Sequence, residues 1–233
     1  NTDATLIGSY ETVRVMEGLG VSLERMLPVA GGETIELEGA SGRATVSVYP
    51  SQHSCVWSHG QMGQPDEVCL GDLGVTYQEQ RKRFAELLEY MGTELAPAAI
   101  EHMMSTMSGH SDRGDGGALV FLLDLPDGRL FYQDTSGHWS GVLRDLRPDV
   151  AIIAAAGRGN IDGEPIQGSL AQFVAQQVDM LRPSQVILSH HDDWLPGFSV
   201  PTDIGPIRAE IERTVPGTEL REIGYVDASP LFV

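Results

Sequence analysis

Short apolar runs alternate with polar, glycine-rich breaks through the first half of the chain. Thr5 to Gly8 predicts a brief strand. Val13, Met16 and Leu19 recur near helical spacing, so Glu11 to Gly18 predicts a helix closed by Gly18 and Gly20. From Glu33 to Pro50 the pattern changes to strand alternation. Ile35 and Leu37, then Thr45 to Tyr49 beyond a glycine-containing turn, predict a hairpin that leads into His53. Residues 58–74, rich in Gly, Gln and Asp, predict a loop. Tyr77 to Met91 then predicts an amphipathic helix, with Phe84, Leu87, Leu88 and Met91 on one face. Pro97 to Met107 predicts a second helix, whose Met103, Met104 and Met107 suit core filling better than cofactor contact. A polar loop follows over 108–117.

The second half is more regular. Ala118 to Leu125 predicts an apolar strand, Pro126-Asp127-Gly128 a turn, and Arg129 to Gln133 the returning strand. Val150 to Ala156 is a continuous apolar run of the kind found in buried strands, and Gln185 to Ser189 predicts the next buried strand. Between them Ser169 to Leu181 predicts a helix that Pro183 terminates. Thr202 to Thr214 holds another helix, and Glu219 to Gly224 predicts a last strand. Strands alternating with helices over this length indicate a layered α/β architecture. With no internal repeat and no interdomain linker, residues 1–233 read as one domain carrying a helical insertion at about 60–112.

Composition changes this picture only at the margins. Hydrophobic residues make up 41% of the 233, an ordinary globular share, and no stretch is long and apolar enough to span a membrane. The net charge of −18 argues against a protein that coats nucleic acid or an anionic membrane, because both need a cationic surface. It leaves metal-assisted chemistry open, since bound cations reverse the local field. Cys55 and Cys69 are too few for a disulfide framework. Two buried thiols, which would suit the cytosol, are favoured over one loop-closing bridge.

Three polar clusters follow strand candidates directly. His53 sits in Ser-Gln-His-Ser, Asp134 in Gln-Asp-Thr-Ser-Gly, and His190 in Leu-Ser-His-His-Asp-Asp. Neighbouring strands end along one rim, so ligands placed there converge, and imidazole with carboxylate suits zinc, iron or manganese. The residues thus point to a metal site at a sheet edge. Each cluster also has a plain structural reading: a lone histidine is more often structural, and Asp134 can simply cap its turn. No helical His-Glu-x-x-His, no Cys-x-x-Cys and no Gly-x-Ser-x-Gly occurs, so neither the single-segment zinc motifs nor a serine-hydrolase elbow applies.

In this order the clusters resemble the metallo-β-lactamase superfamily, which runs strand-His, strand-Asp in a Gly-Asp-Thr-Gly-like turn, then strand-His. The matching stretches are Tyr49-Pro-Ser-Gln-His53-Ser, Leu130-Phe-Tyr-Gln-Asp134-Thr-Ser-Gly and Val186-Ile-Leu-Ser-His190-His-Asp-Asp. The branch most similar in layout holds ascorbate-6-phosphate lactonase and the N-acyl-phosphatidylethanolamine phospholipase D-like hydrolases. The resemblance implies an αββα four-layer fold. Two departures stand out. Gln133 replaces the glycine before the aspartate. The signature His-x-His-x-Asp-His is absent, its expected place falling before Asn1, so the expectation is that the chain starts downstream of that motif and of the fold's initial strands.

What the resemblance implies about function is specific. Two divalent cations, zinc first and manganese or iron also suited, would be held with help from His53, Asp134 and His190. Asp134 would bridge them, and a bridging hydroxide would cleave an ester, lactone or phosphodiester bond. His138 and His191, with Trp139 and Trp194, are candidates for the pocket rim or for contacts behind the ligands. The substrate would be a small or lipid-like molecule rather than nucleic acid, and a homo-oligomer is compatible with the sequence. A different class of reading is a non-catalytic binding or assembly module that keeps the fold and has lost its metal.

Overall fold

A computed structural model of the chain describes residues 3–39, 42–55, 74–94, 97–98, 100–101, 117–193, 201–224 and 228–232. Its centre is a seven-stranded mixed sheet. The strands are β3 (Thr34–Gly39), β4 (Gly42–Pro50), β5 (Leu119–Leu125), β6 (Gly128–Gln133), β8 (Val150–Ala154), β11 (Gln185–Ser189) and β12 (Glu219–Arg221), in the spatial order β12-β11-β8-β6-β5-β4-β3. From β3 to β6 neighbours are antiparallel, and from β6 to β12 they are parallel. Both halves follow from the connections. Leu125 pairs with Gly128 across a two-residue turn, which makes β5-β6 a tight hairpin, whereas parallel neighbours need crossovers.

Helices supply the two longer crossovers. After the short α3 (Ser140–Leu143), helix α4 (Leu170–Leu181) joins β8 to β11, and α5 (Gly205–Thr214) joins β11 to β12. Helix α4 begins where the Ser169 hydroxyl accepts from the Gln172 amide while the Gln172 side chain accepts from the Ser169 amide. This reciprocal cap satisfies two donors that the first turn otherwise leaves open. The helix ends at Arg182, whose left-handed backbone precedes Pro183. Phe173, Val174, Val178 and Leu181 of α4, with Ile207 and Ile211 of α5, pack on Phe131, Ala151, Ile153, Val186 and Leu188 of the sheet. Burying each of the larger side chains contributes about 2–3 kcal/mol, so this face dominates stability.

The opposite face of the sheet carries two smaller clusters. Val29, Val46 and Val48 gather Ile7, Ile35 and Phe121 around them, and Leu130, Val150 and Ile187 meet Leu231 and Phe232. At the start of the chain, β1 (Leu6–Gly8) pairs in parallel with β2 (Met26–Pro28) around α1 (Tyr10–Gly18) and a 3₁₀ turn at Leu23–Arg25. No residue of α1 is fully buried.

The layered α/β class is the one expected, and every strand and helix predicted beyond residue 117 is found within a few residues. The short elements differ from expectation. Strand β2, and the two-residue strands β7 (Gly137–His138), β9 (Asn160–Ile161) and β10 (Glu164–Pro165), carry no signal in the sequence, because two or three residues cannot establish a period. Of the insertion, helix α2 (Tyr77–Glu94) is observed. At the predicted second helix, 97–98 and 100–101 are helical, while its methionines, and Cys69, His59, His102, His110 and Trp194, lie outside the described residues. Cys55 is buried, with Sγ 3.9 Å from the Gly159 carbonyl oxygen.

Candidate metal centre

Strands β4, β6, β8 and β11 all run in one direction, so their carboxyl ends lie along one edge. The register aligns those ends. Gln133 stands opposite Ile153, Ser189 opposite Ala154, and Pro50 opposite the first residue of β5. His53, Asp134 and His190 therefore leave the sheet at the same edge, as ligand-bearing loops of α/β proteins do. Among the described residues, no group of three or more His, Cys, Asp or Glu side chains is drawn together closely enough to hold a metal ion.

Each of the three is positioned by a neighbour. Asp134, exposed at the tip of β6, accepts a 3.0 Å hydrogen bond from Ser189 Oγ, which ties its carboxylate to the strand that carries His190. Tyr132, two residues earlier on the same face, also bonds this carboxylate. Its phenol is held above the ordinary tyrosine range by burial first, then by the charge of Asp134 and the bond to it. His53 Nδ1 lies 3.1 Å from the Ser54 carbonyl oxygen and 3.0 Å from Ser54 Oγ. A proton on Nδ1 directed at the carbonyl leaves the lone pair on Nε2, the arrangement common in metal-ligating histidines. His190 takes a left-handed backbone (φ 56°) directly after β11, a conformation histidine tolerates better than most residues. The next carbonyl, of His191, accepts from the Thr202 amide at 2.8 Å, and the Thr202 hydroxyl reaches the Ala155 carbonyl at 2.9 Å, fastening the β11 exit to the β8 exit.

Donor types and outer hydrogen bonds thus fit a metal centre, while the described residues stop short of a closed ligand set.

A second layer of polar contacts joins the loops beneath the edge. Asn160, fully buried, donates from Nδ2 to the Gln52 side chain at 3.2 Å and to the His53 carbonyl at 3.0 Å. Thr135 Oγ1 accepts the Ser54 amide at 3.1 Å. Gly137 lies flat against the His53 loop. A methyl group there would stand 2.4 Å from the His53 carbonyl oxygen and 2.6 Å from that of Gln52. Gly137→Ala is accordingly expected to cost about 2 kcal/mol, the usual penalty of forcing an atom into close-packed surroundings. Urea unfolding measures it, and an unshifted midpoint would mean that the two loops separate freely.

Sequence reasoning singled out the three edge residues but not Ser189, Tyr132, Asn160 or Gly137, because their role depends on register between distant segments. His138 is fully buried rather than at a rim. Its ring lies 5.3 Å from that of Phe173, and neither ring nitrogen has a hydrogen-bond partner among the described residues. Burial pushes it down to about 4, against the opposing pull of the Asp162 charge. His191 and Trp139 are half-buried beside the edge loops.

No family model matches the chain, and no curated protein does. Solved structures do. The metallo hydrolase Igni18 of Ignicoccus hospitalis matches with a TM-score of 0.52 at 12% identity, over 95% of this chain and 66% of its own. A candidate metal-dependent hydrolase of Parabacteroides distasonis gives 0.49 at 12% identity, over 95% and 65%. YhfI of Bacillus subtilis, a metallo-β-lactamase fold protein, gives 0.43 at 10%, over 93% and 61%. The chain therefore spans less than two thirds of the length of each of them. At 12% identity the likeness is one of architecture: this chain shares the α/β fold of the Ignicoccus protein.

Proposed function

We propose that this chain carries part of the active site of a metal-dependent hydrolase of the metallo-β-lactamase type, acting on an ester, lactone or phosphodiester bond. One observation carries the reading: His53, Asp134 and His190 leave β4, β6 and β11 at a single edge, with Asp134 bonded to the residue before His190. Similarity to the branch with ascorbate-6-phosphate lactonase rests on the sequence layout alone. Divalent cations bound there, zinc first among them, would supply an acidified water and a positive charge opposite the oxygen of the scissile bond. His53, through Nε2, and His190 would be the neutral donors. Asp134 would contribute the anionic charge that offsets repulsion between two cations, with Ser189 and Tyr132 holding its carboxylate in place.

The test is metal content of the full-length protein after reconstitution with zinc, combined with a panel of ester, lactone and phosphodiester substrates. Two equivalents per chain and turnover of one substrate class are expected. Less than one equivalent would sink the reading. It would favour the second one, a non-catalytic module with this fold.

A further inference from the structure

Gln133 occupies the position where the resembling family has glycine, and its side chain is fully buried. Its amide oxygen accepts from Nε2 of Gln177, itself fully buried on α4. Its amide nitrogen donates to two acceptors: the Gly137 carbonyl, and Ser51 Oγ at 3.0 Å. Ser51 Oγ in turn donates to the same Gly137 carbonyl at 3.0 Å. One primary amide therefore reaches from the helical layer, through the end of β6, to both loops that bear candidate ligands. Ser51 lies two residues before His53, and Gly137 lies three after Asp134. Gly137 is also the residue whose backbone rests directly on the His53 peptide.

We propose that Gln133 is a positioning residue, fixing the His53 loop against the Asp134 turn with Gln177 as its anchor on α4. A glycine has no side chain with which to do this. An apolar residue would leave the Gln177 amide donor short of its partner in a buried setting, where an unmade bond is costly, and would remove the bond that the partly buried Ser51 hydroxyl accepts. Neutrality matters as well, because a carboxylate at this place would confront the Gly137 carbonyl instead of donating to it. The effect on metal binding rests on the functional reading above, whereas the effect on loop order does not.

Amide hydrogen exchange on the metal-free full chain reads the loop directly. The Ser54 amide is held by Thr135 Oγ1 and the Cys55 amide by the Arg158 carbonyl, each at 3.1 Å. In Gln133→Met both should exchange faster, on the order of tenfold, while Ile153 and Leu188 in the central strands keep wild-type protection. Gln177→Met leaves the donors of Gln133 in place and should move the same two amides less; it also serves if Gln133→Met does not fold. Where the wild type binds zinc, its affinity in Gln133→Met should fall about tenfold, as for other groups that orient ligands from behind. Wild-type exchange at Ser54 and Cys55 would overturn the proposal. So would protection lost evenly across the core strands, or unchanged zinc affinity beside a loosened loop. A wild-type protein that binds no zinc would sink the functional reading and leave the exchange result to decide this one.

Discussion

Asp134→Ala is expected to reduce hydrolysis to background and bound zinc from two equivalents to one or none, without a measurable change in the unfolding midpoint of the metal-free protein. The separation of effects follows from where the carboxylate sits. Asp134 is exposed, and its bonding partners Ser189 and Tyr132 lie on the half-open face of the sheet, where water can replace it. Substitutions of this sort usually stay within about 0.5 kcal/mol. Its charge, by contrast, would not be replaced by the other two candidate ligands, since histidine binds a metal as a neutral ring. Asp134→Asn sharpens the comparison, because it keeps an oxygen for Ser189 and Tyr132 while removing the charge. It should be as inactive as the alanine variant. Wild-type turnover by either protein would remove Asp134 from the chemistry. A large loss of stability in both would mark the residue as a turn-forming group, the plain role aspartate often has before Thr-Ser-Gly.

Much of the architecture is legible in the chain because its elements announce themselves locally. Gln185 to Ser189 sets the apolar Val186, Ile187 and Leu188 between Pro183 and a histidine pair, and it forms β11 with those limits. Ser169 and Gln172 mark the start of α4 and Arg182-Pro183 its end, so that helix can be read from caps alone. The three candidate ligands are legible for the same reason, each following a strong strand signal. What joins them is not. Ser189 meets Asp134 across 55 residues and Asn160 meets His53 across 107, and no local pattern encodes such pairings. Gln133 illustrates the limit. In the sequence it is only a replaced glycine, while the fold makes its amide the junction of a helix and two loops. Short strands escape for a related reason: β7 and β9 exist because Gly137 can lie against Asn160, a long-range register rather than a periodic signal.

His138 leads to the other large effect, in stability against pH. Its ring is fully buried beside Phe173, and burial lowers its pKa from the ordinary 6.5 to about 4, opposed by the nearby Asp162. The unfolded chain therefore takes up a proton between pH 6.5 and 4 that the folded chain refuses. Stability from this group is complete above about pH 6.5 and declines as the pH falls towards 4, by about 3 kcal/mol in all. Below pH 4 both states carry the proton, and the group contributes no further slope. Carboxylates titrate in part of the same window, so the difference between wild type and His138→Phe isolates the histidine. Urea unfolding of both proteins at pH 7.5, 5.5 and 4.2 should show the gap closing or reversing in favour of the variant as the medium becomes acidic. At pH 7.5 the variant should lie within about 1 kcal/mol of wild type, because neither imidazole nitrogen gives up a hydrogen bond among the described residues and the added ring volume is modest. Parallel pH profiles would mean that His138 reaches water in solution. A variant much weaker at pH 7.5 would mean that the imidazole holds a partner, such as an internal water, that makes it worth keeping in an apolar layer.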